Sequence, residues 1–309
     1  MRNMINRTHI EGYVYEHKLE KRVSGENSKN PGTEFIMGTL SIATDEECLN
    51  IVPVHFTYVT ATTAKGNANA TYGVLKNIID GVIGNVMDNG KENAGKVRID
   101  SAIGLNEFYS DRNGTEELVS AKRNEGGFVH TVDVLTPEEK ARNTFEVDML
   151  ITNVRTVEAD EERGYAAKVV VRGCIFDFRK AVLPVEFSVT NERGMAYFEG
   201  LDASPKTPVF TKVWGRQISQ TVVNTKEEES GWGEANVQTS SFTRRDWVIV
   251  GSNPEPYEWD SDETITAKEL TDAMANREVY LASIKKRQDE YKASRNAPAV
   301  TTTTGGFNF

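Results

Sequence analysis

The order strand, strand, strand, helix, strand, strand is written twice along this chain, and few folds accommodate it. In the first copy, THIEGYVYEHKLEKRVSG alternates apolar and polar residues, with Ile10 and Val14 on one face and Glu11, Tyr13 and Tyr15 on the other. Gly12 falls in mid-strand, where a bulge or sharp coil is expected. The turn-rich GENSKNPGTE leads into FIMGTLSIAT, whose Ile36, Gly38, Leu40 and Ile42 face one way, and the polar DEEC leads into LNIVPVHFTYV. The period then changes, because NATYGVLKNIIDGVI places Tyr72, Leu75, Ile79 and Val82 at helical spacing. KVRIDSAIGLNEFYS and GGFVHTVDVL complete the set as two further strands.

From Thr144 the order recurs: FEVDMLITNVRTVE, YAAKVVVRGCIFDF, AVLPVEFSV, a helix-compatible NERGMAYFEGL, then PVFTKVWGRQIS and DWVIVG. The landmarks PVHFTYV and PVEFSVT lie about 130 residues apart, each some 20 residues after a glycine turn at Gly32 or Gly164. A chain of 309 residues is long enough for about two domains. Three strands, a helix and two strands make the order of the OB-fold, a five-stranded Greek-key barrel, whereas a sandwich needs about seven strands and no inserted helix. The expected fold is mainly β: two tandem OB-fold-like five-stranded barrels over 1–136 and 144–252, joined near Leu135 to Asn143.

An acidic, proline-containing linker over 253–264 precedes a C-terminal helix over 265–295. Thr266 and Glu269 form a capping box, and Leu270, Met274, Leu281, Ile284 and Tyr291 make a stripe interrupted by Arg277 and Gln288. That interruption argues against a long homomeric coiled coil, which leaves a helix docked on its own barrel or offered to a partner. The last residues, 296–309, are low in complexity and read as a flexible tail.

The net charge of −10 argues against a uniformly basic surface, but acids concentrate in Glu227-Glu228-Glu229, in 255–263 and around Asp160-Glu161-Glu162, leaving basic clusters elsewhere. Cys48 and Cys174 have no neighbour at metal-ligand spacing, and His9, His17, His55 and His130 are scattered through strand patterns. Asp45-Glu46-Glu47 reads as a solvated turn rather than a magnesium site. No phosphate-binding glycine loop, HExxH, nucleophile elbow or Rossmann pattern occurs, so neither an enzyme nor a metal or cofactor is expected. Without an apolar run near the 18 residues of a membrane span, or a signal-like start, the expected location is the cytoplasm.

The run GTEFIMGTLSIATDEE resembles the second-strand signature of bacterial and bacteriophage single-stranded DNA-binding proteins. LNIVPVHFTYV and the helix at Tyr72 to Leu75 fall where that family has its third strand and helix, and the resemblance covers mainly residues 7–110. It implies a protein that sheathes single-stranded DNA in replication or recombination, in the host cytoplasm if phage-encoded, with RNA as the second candidate ligand. The family commonly carries one barrel per chain and an acidic tip ending in an aromatic residue. This chain has two expected barrels and ends TTTTGGFNF, with Phe309 but no local acidity. Partner proteins of replication or recombination would then be met by the C-terminal helix or the tail.

Single strands are held by cations that follow the phosphates and by aromatic faces on which bases stack. In the first unit the candidates are Tyr13, Tyr15, Lys18, Lys21, Arg22 and Phe35, with Phe108, Tyr109, Arg112, Lys122 and Arg123 around the hairpin between strands four and five. In the second they are Lys212, Trp214 and Arg216 on one strand, then Trp232, Phe242, Arg244 and Arg245 around the matching hairpin. Tyr13 and Tyr15 are expected to share the non-core face with His17, and Trp214 to share a face with Lys212 and Arg216 while Val213 points inward. Phe35, Phe108 and Trp247 are also expected as core residues on burial statistics. The alternative from another class is an OB-fold structural or protein-interaction module without nucleic-acid binding.

Overall fold

The computed structural model describes residues 4–112, 115–159, 166–228, 232, 236–259 and 264–296, the side chains at 112, 220–228, 236–238, 240–244 and 294–296 excepted. Its strands are β1 (Asn6–Val23), β2 (Glu34–Ala43), β3 (Ile51–Thr60), β4 (Lys96–Arg112), β5 (Thr115–Thr131), β6 (Asn143–Val157), β7 (Lys168–Phe176), β8 (Val182–Val189), β9 (Val209–Glu228) and β10 (Asn236–Ser252). Helix α1 (Ala70–Ile79) and a short α2 (Val86–Asn89) lie between β3 and β4, α3 (Glu192–Glu199) lies between β8 and β9, and α4 (Ala267–Asn296) follows the last strand. No helix among the described residues is long and apolar enough to cross a membrane.

The fold is mainly β with a C-terminal helix, and its strands form two closed circuits. β1 pairs with β2, β2 with β3, β3 in parallel with β5, β5 with β4, and β4 returns to β1. The second circuit runs β6, β7, β8, in parallel to β10, then β9 and back to β6. Ile10, Val14, Ile36, Leu40, Val54, Phe56, Val97 and Ile99 fill the first, closed at one end by Tyr72, Leu75 and Ile78 of α1. Phe145, Val147, Ile151, Val171, Phe187, Val213, Trp247 and Ile249 fill the second, beside Phe198 of α3. Asn69 and Asn191 cap these two helices by accepting from Thr71 N–H and Gly194 N–H, and each cap follows a third strand at the same point of its circuit.

The circuits are not joined by a junction alone, as the sequence suggested. β1 and β6 pair antiparallel, so one sheet of ten strands runs through both. Thr8 lies opposite Phe145, Asn6 opposite Val147 and Ile10 opposite Asn143, which makes Thr8 and Phe145 counterparts across an internal twofold axis. Asn6 and Asn143 are then equivalent, and they act alike: Asn6 Nδ2 donates to the Ile103 carbonyl at 3.0 Å and Asn143 Nδ2 to the Gln217 carbonyl at 2.5 Å. Ile103 and Leu105 of β4 enter the second core, while Asn124 and Gln217 pair their side-chain amides in both directions at 2.8 Å beneath the seam. The second core is therefore completed by β4 of the first circuit, whereas the first core is filled from its own half of the chain.

Three local expectations are also corrected. Followed outward from the axis, Thr8 and Phe145 pair with Ser101 and Gly215, and the next residues, Ala102 and Arg216, with Glu125 and Val248. Those face His55 and Ser188, so Ser188 rather than Glu186 matches His55, and the two Pro-Val-x-Phe landmarks are out of structural register. Alternation still buries Val54, Phe56, Val185 and Phe187. The β1 bulge lies at Tyr15, not Gly12. Gly12 instead allows close approach of β2, because a Cβ there would collide with the Ala43 carbonyl oxygen. Val82 lies outside α1, which stops at Ile79 before Gly81 in the left-handed region (φ +74°).

Candidate functional site

Residues directly opposed across paired strands share a face, so the register fixes which candidates meet. Beyond the bulge, Leu19 turns inward, Lys18 opposes Thr39 and Arg22 opposes Phe35; Thr39 in turn opposes His55, which opposes Glu125. Lys18, Arg22 and Phe35 therefore stand together on the outer face of β1, β2 and β3. Phe35 packs against Tyr58 with ring centroids 4.5 Å apart and planes inclined by 38°, leaving Tyr58 47% exposed. The Tyr58 hydroxyl lies 3.1 Å from Ser24 Oγ in the β1–β2 loop. Arg123 extends this row on β5; it binds Glu125 at 2.8 Å, and its Nε is buried without a hydrogen-bond partner. Burial first, then the Arg123 charge, lowers the His55 pKa against the pull of Glu125, so the imidazole is neutral near pH 7.

A second set meets on the outer face of the seam. On β9, Val213 is buried while Lys212, Trp214 and Arg216 stand on the other side and line a groove of about 600 Å³ with Lys140, Thr144, Glu146 and Val250. The Trp214 ring lies against Gly251, where a Cβ would collide with it, and stays 38% exposed. Lys212 Nζ is 5.8 Å from that ring's centroid and 3.2 Å from Glu146. Burial opposes ionisation of Glu146, but bonds from Arg7 and Lys212 outweigh it and lower its pKa.

Other candidates are held elsewhere. The bulge at Tyr15 parts Tyr13 from His17, which opposes the core residue Leu40. The Tyr13 hydroxyl donates to Glu46 at 2.9 Å, and Lys91 Nζ lies 5.0 Å from its ring. Bonds from Lys91 and Arg142 hold the Glu46 carboxyl at about 2, so this cluster ties the β2–β3 turn to β1 and to the segment before β6. Lys21 turns away from Arg22 and bridges to Asp80 at 2.6 Å, while Arg22 is bonded to Glu20 at 2.6 Å. Phe108 is exposed, and Tyr109 is half-buried beside α4, with Lys285 Nζ 5.6 Å from its ring. Lys122 is not a groove cation: it reaches into the second circuit, 4.7 Å from the Phe187 centroid, and bonds the Glu186 carbonyl. Burial lowers its pKa to about 8. Trp247 is core, as expected, whereas Phe35 is half-buried. Trp232 and Arg245 are exposed; the side chains of Arg112, Phe242 and Arg244 lie outside the described residues.

Sequence reasoning missed Tyr58 and His55. In PVHFTYV a period of two places Tyr58 inward with Phe56, but the register shift that pairs Gly38 with Phe56 and Ile36 with Val59 turns Tyr58 out. His55 was legible by alternation, since Val54 and Phe56 on either side are fully buried.

The chain is similar in structure to the wild-type single-stranded DNA binding protein from Thermus aquaticus, at 10% sequence identity and a TM-score of 0.45, over 84% of this chain and 97% of that one. A deletion mutant of the Thermus aquaticus protein gives 11% identity and a TM-score of 0.44, over 85% of this chain and all of that one. No curated protein matches. The family model described as YorF matches residues 5–287, nearly the whole described chain, and the protein belongs to the YorF family.

Proposed function

We propose that this is a non-catalytic single-stranded DNA-binding protein, that its two strand circuits are OB-fold-like barrels over 1–136 and 144–252, and that it serves DNA exposed in replication or recombination. The observation that supports this most is the Phe35–Tyr58 pair beside Arg22 and Lys18. OB-folds bind oligonucleotides on the face of strands two and three and on the adjoining loops, and this pair lies on β2 and β3 with the β1–β2 loop at its edge. The aromatic rings offer stacking surfaces, and Lys18 and Arg22 offer positive charge one strand away. Lys212, Trp214 and Arg216 form a second contact region, so binding at one region raises the effective concentration of the strand at the other. An acidic protein can do this because the local groove, not net charge, sets phosphate affinity.

The test is the joint variant Phe35→Ala, Tyr58→Ala, assayed for oligothymidylate affinity and melting temperature. Loss of about 1–3 kcal/mol of affinity per stacked base, with the fold retained, is expected. Unchanged affinity in a folded double variant would remove this face from the site and leave the interaction-module reading.

A further inference from the structure

We infer that α4 is a wall of the strand-binding surface, and that Arg287 of α4 and Arg123 of β5 bind one phosphate segment of a DNA strand in the groove between them. This rests on the single-stranded DNA-binding reading above. The groove, of about 410 Å³, has Leu105 and Ile284 as its apolar floor and Arg123, Arg287, Tyr280 and Tyr291 around it. That volume lies in the range of about 300–1,000 Å³ usual for small-molecule sites. Cations and aromatic rings are interleaved in it, which is the composition a single strand needs.

The helix is fixed firmly enough to serve as a wall. Arg277 binds Glu107 as a buried ion pair and donates to the Val182 carbonyl at 3.1 Å. Further along, the Gln288 side chain accepts from Tyr109 N–H at 2.9 Å and donates to the Tyr109 carbonyl. It acts as a missing neighbour on the free edge of β4, where backbone groups would otherwise seek another strand. Lys292 binds Asp111 and Glu116, and Lys285 binds Glu116.

The cations of α4 separate by role. Lys268, Arg277, Lys285, Lys286 and Lys292 each have a carboxylate within 4.0 Å, whereas Arg287 has none among the described residues and bonds only the Ser283 carbonyl at 3.3 Å. Its guanidinium is exposed at the groove. Across from it, Arg123 shares its charge with Glu125 through Nη2 at 2.8 Å and keeps a quarter of its side chain exposed for a further acceptor. Arg123 also adjoins His55, so the groove continues the row of Lys18, Thr39 and His55 across the outer face. A strand lying across β1, β2, β3 and β5 would run onto α4.

The test uses the full chain with Arg287→Ala, Tyr280→Ala and, as the charge control, Lys286→Ala, whose side chain is paired with Glu290 at 3.9 Å. Affinity for oligothymidylate is measured at several salt concentrations, and bromodeoxyuridine-substituted strands are photocrosslinked and the peptides identified. Arg287→Ala is expected to weaken binding about tenfold and to flatten the log–log salt slope by about 0.7, with crosslinks to Tyr280 or Tyr291. Lys286→Ala should change affinity less than about twofold. If Arg287→Ala behaves like Lys286→Ala while Phe35→Ala still weakens binding, α4 is not part of the surface and the DNA-binding reading stands. If the unsubstituted chain binds no oligothymidylate at low salt, both fall.

Discussion

Removing the guanidinium at position 277 should release α4. Glu107 is 1% exposed at its side chain and Arg277 8%, and they meet in a two-pronged pair, Nη1 to Oε2 at 3.3 Å and Nη2 to Oε1. Arg277→Ala leaves the Glu107 carboxylate desolvated with no counter-charge, a loss of about 3–5 kcal/mol for buried pairs. A third bond, from Nη1 to the Val182 carbonyl, is lost as well. Replacing both members, with Glu107→Leu and Arg277→Met, removes the stranded charge and should recover most of that loss. Ile265, just before the helix, and Leu270 and Ala273 in its first two turns pack with Leu150, Cys174, Phe176, Val182 and Phe210, so Arg277→Ala frees the C-terminal half first. Hydrogen exchange over 277–296 and the melting temperature separate local release from global unfolding. Fast exchange over that half, rescued in the double variant, is the expected result. Normal protection and normal melting in Arg277→Ala would show that the pair does not hold the helix.

Lys122 gives a pH prediction with a definite sign. Burial lowers its folded pKa to about 8 from the ordinary 10.5, so between these values the unfolded chain holds a proton the folded chain lacks, and stability rises with pH. Relative to Lys122→Met, the native protein should gain about 3 kcal/mol between pH 8 and 10.5 and be the less stable of the two at pH 7, as chemical denaturation at each pH would measure; parallel curves would refute the burial. Asn124→Ala strips Gln217 of its amide partner in the seam and should cost about 1–3 kcal/mol, in a single melting transition since the β1–β6 pairing and Ile103 and Leu105 of β4 couple the circuits. Two separated transitions would show independent units. Trp214→Ala should lose about 1–3 kcal/mol of oligothymidylate affinity but at most about 2 kcal/mol of stability, because more than a third of the residue is in water. A large melting drop with normal affinity would make it a packing residue instead.

The element order was readable because alternation and helical spacing are local: Ile36, Leu40 and Ile42 face inward as their period requires, and Asn191 caps α3 where the pattern changes. The seam was not readable. β1 meets β6 through Asn6, Thr8 and Ile10, and no local pattern reveals a partner some 137 residues away. Polar residues carried the other surprises. Arg277 and Gln288, which interrupt the apolar stripe of α4, help to dock it, while Met274 and Tyr291 from that stripe are exposed. Lys122 alternates correctly on β5 but is claimed by an aromatic core contributed from the other half of the chain. At the candidate site, Lys212, Trp214 and Arg216 came together because β9 is regular there, whereas bulges displaced Tyr15 and turned Tyr58 outward.

If the outer face binds single-stranded DNA through phosphates and stacked bases, a fluorescence titration of the intact protein with oligothymidylate at low and high salt will show it. Trp214, exposed beside Lys212, is the expected reporter. Saturable quenching is expected at low salt, with an affinity that falls along a log–log slope of about −0.7 for each phosphate neutralised. No binding at low salt, or binding indifferent to salt, would rule out a phosphate-tracking surface.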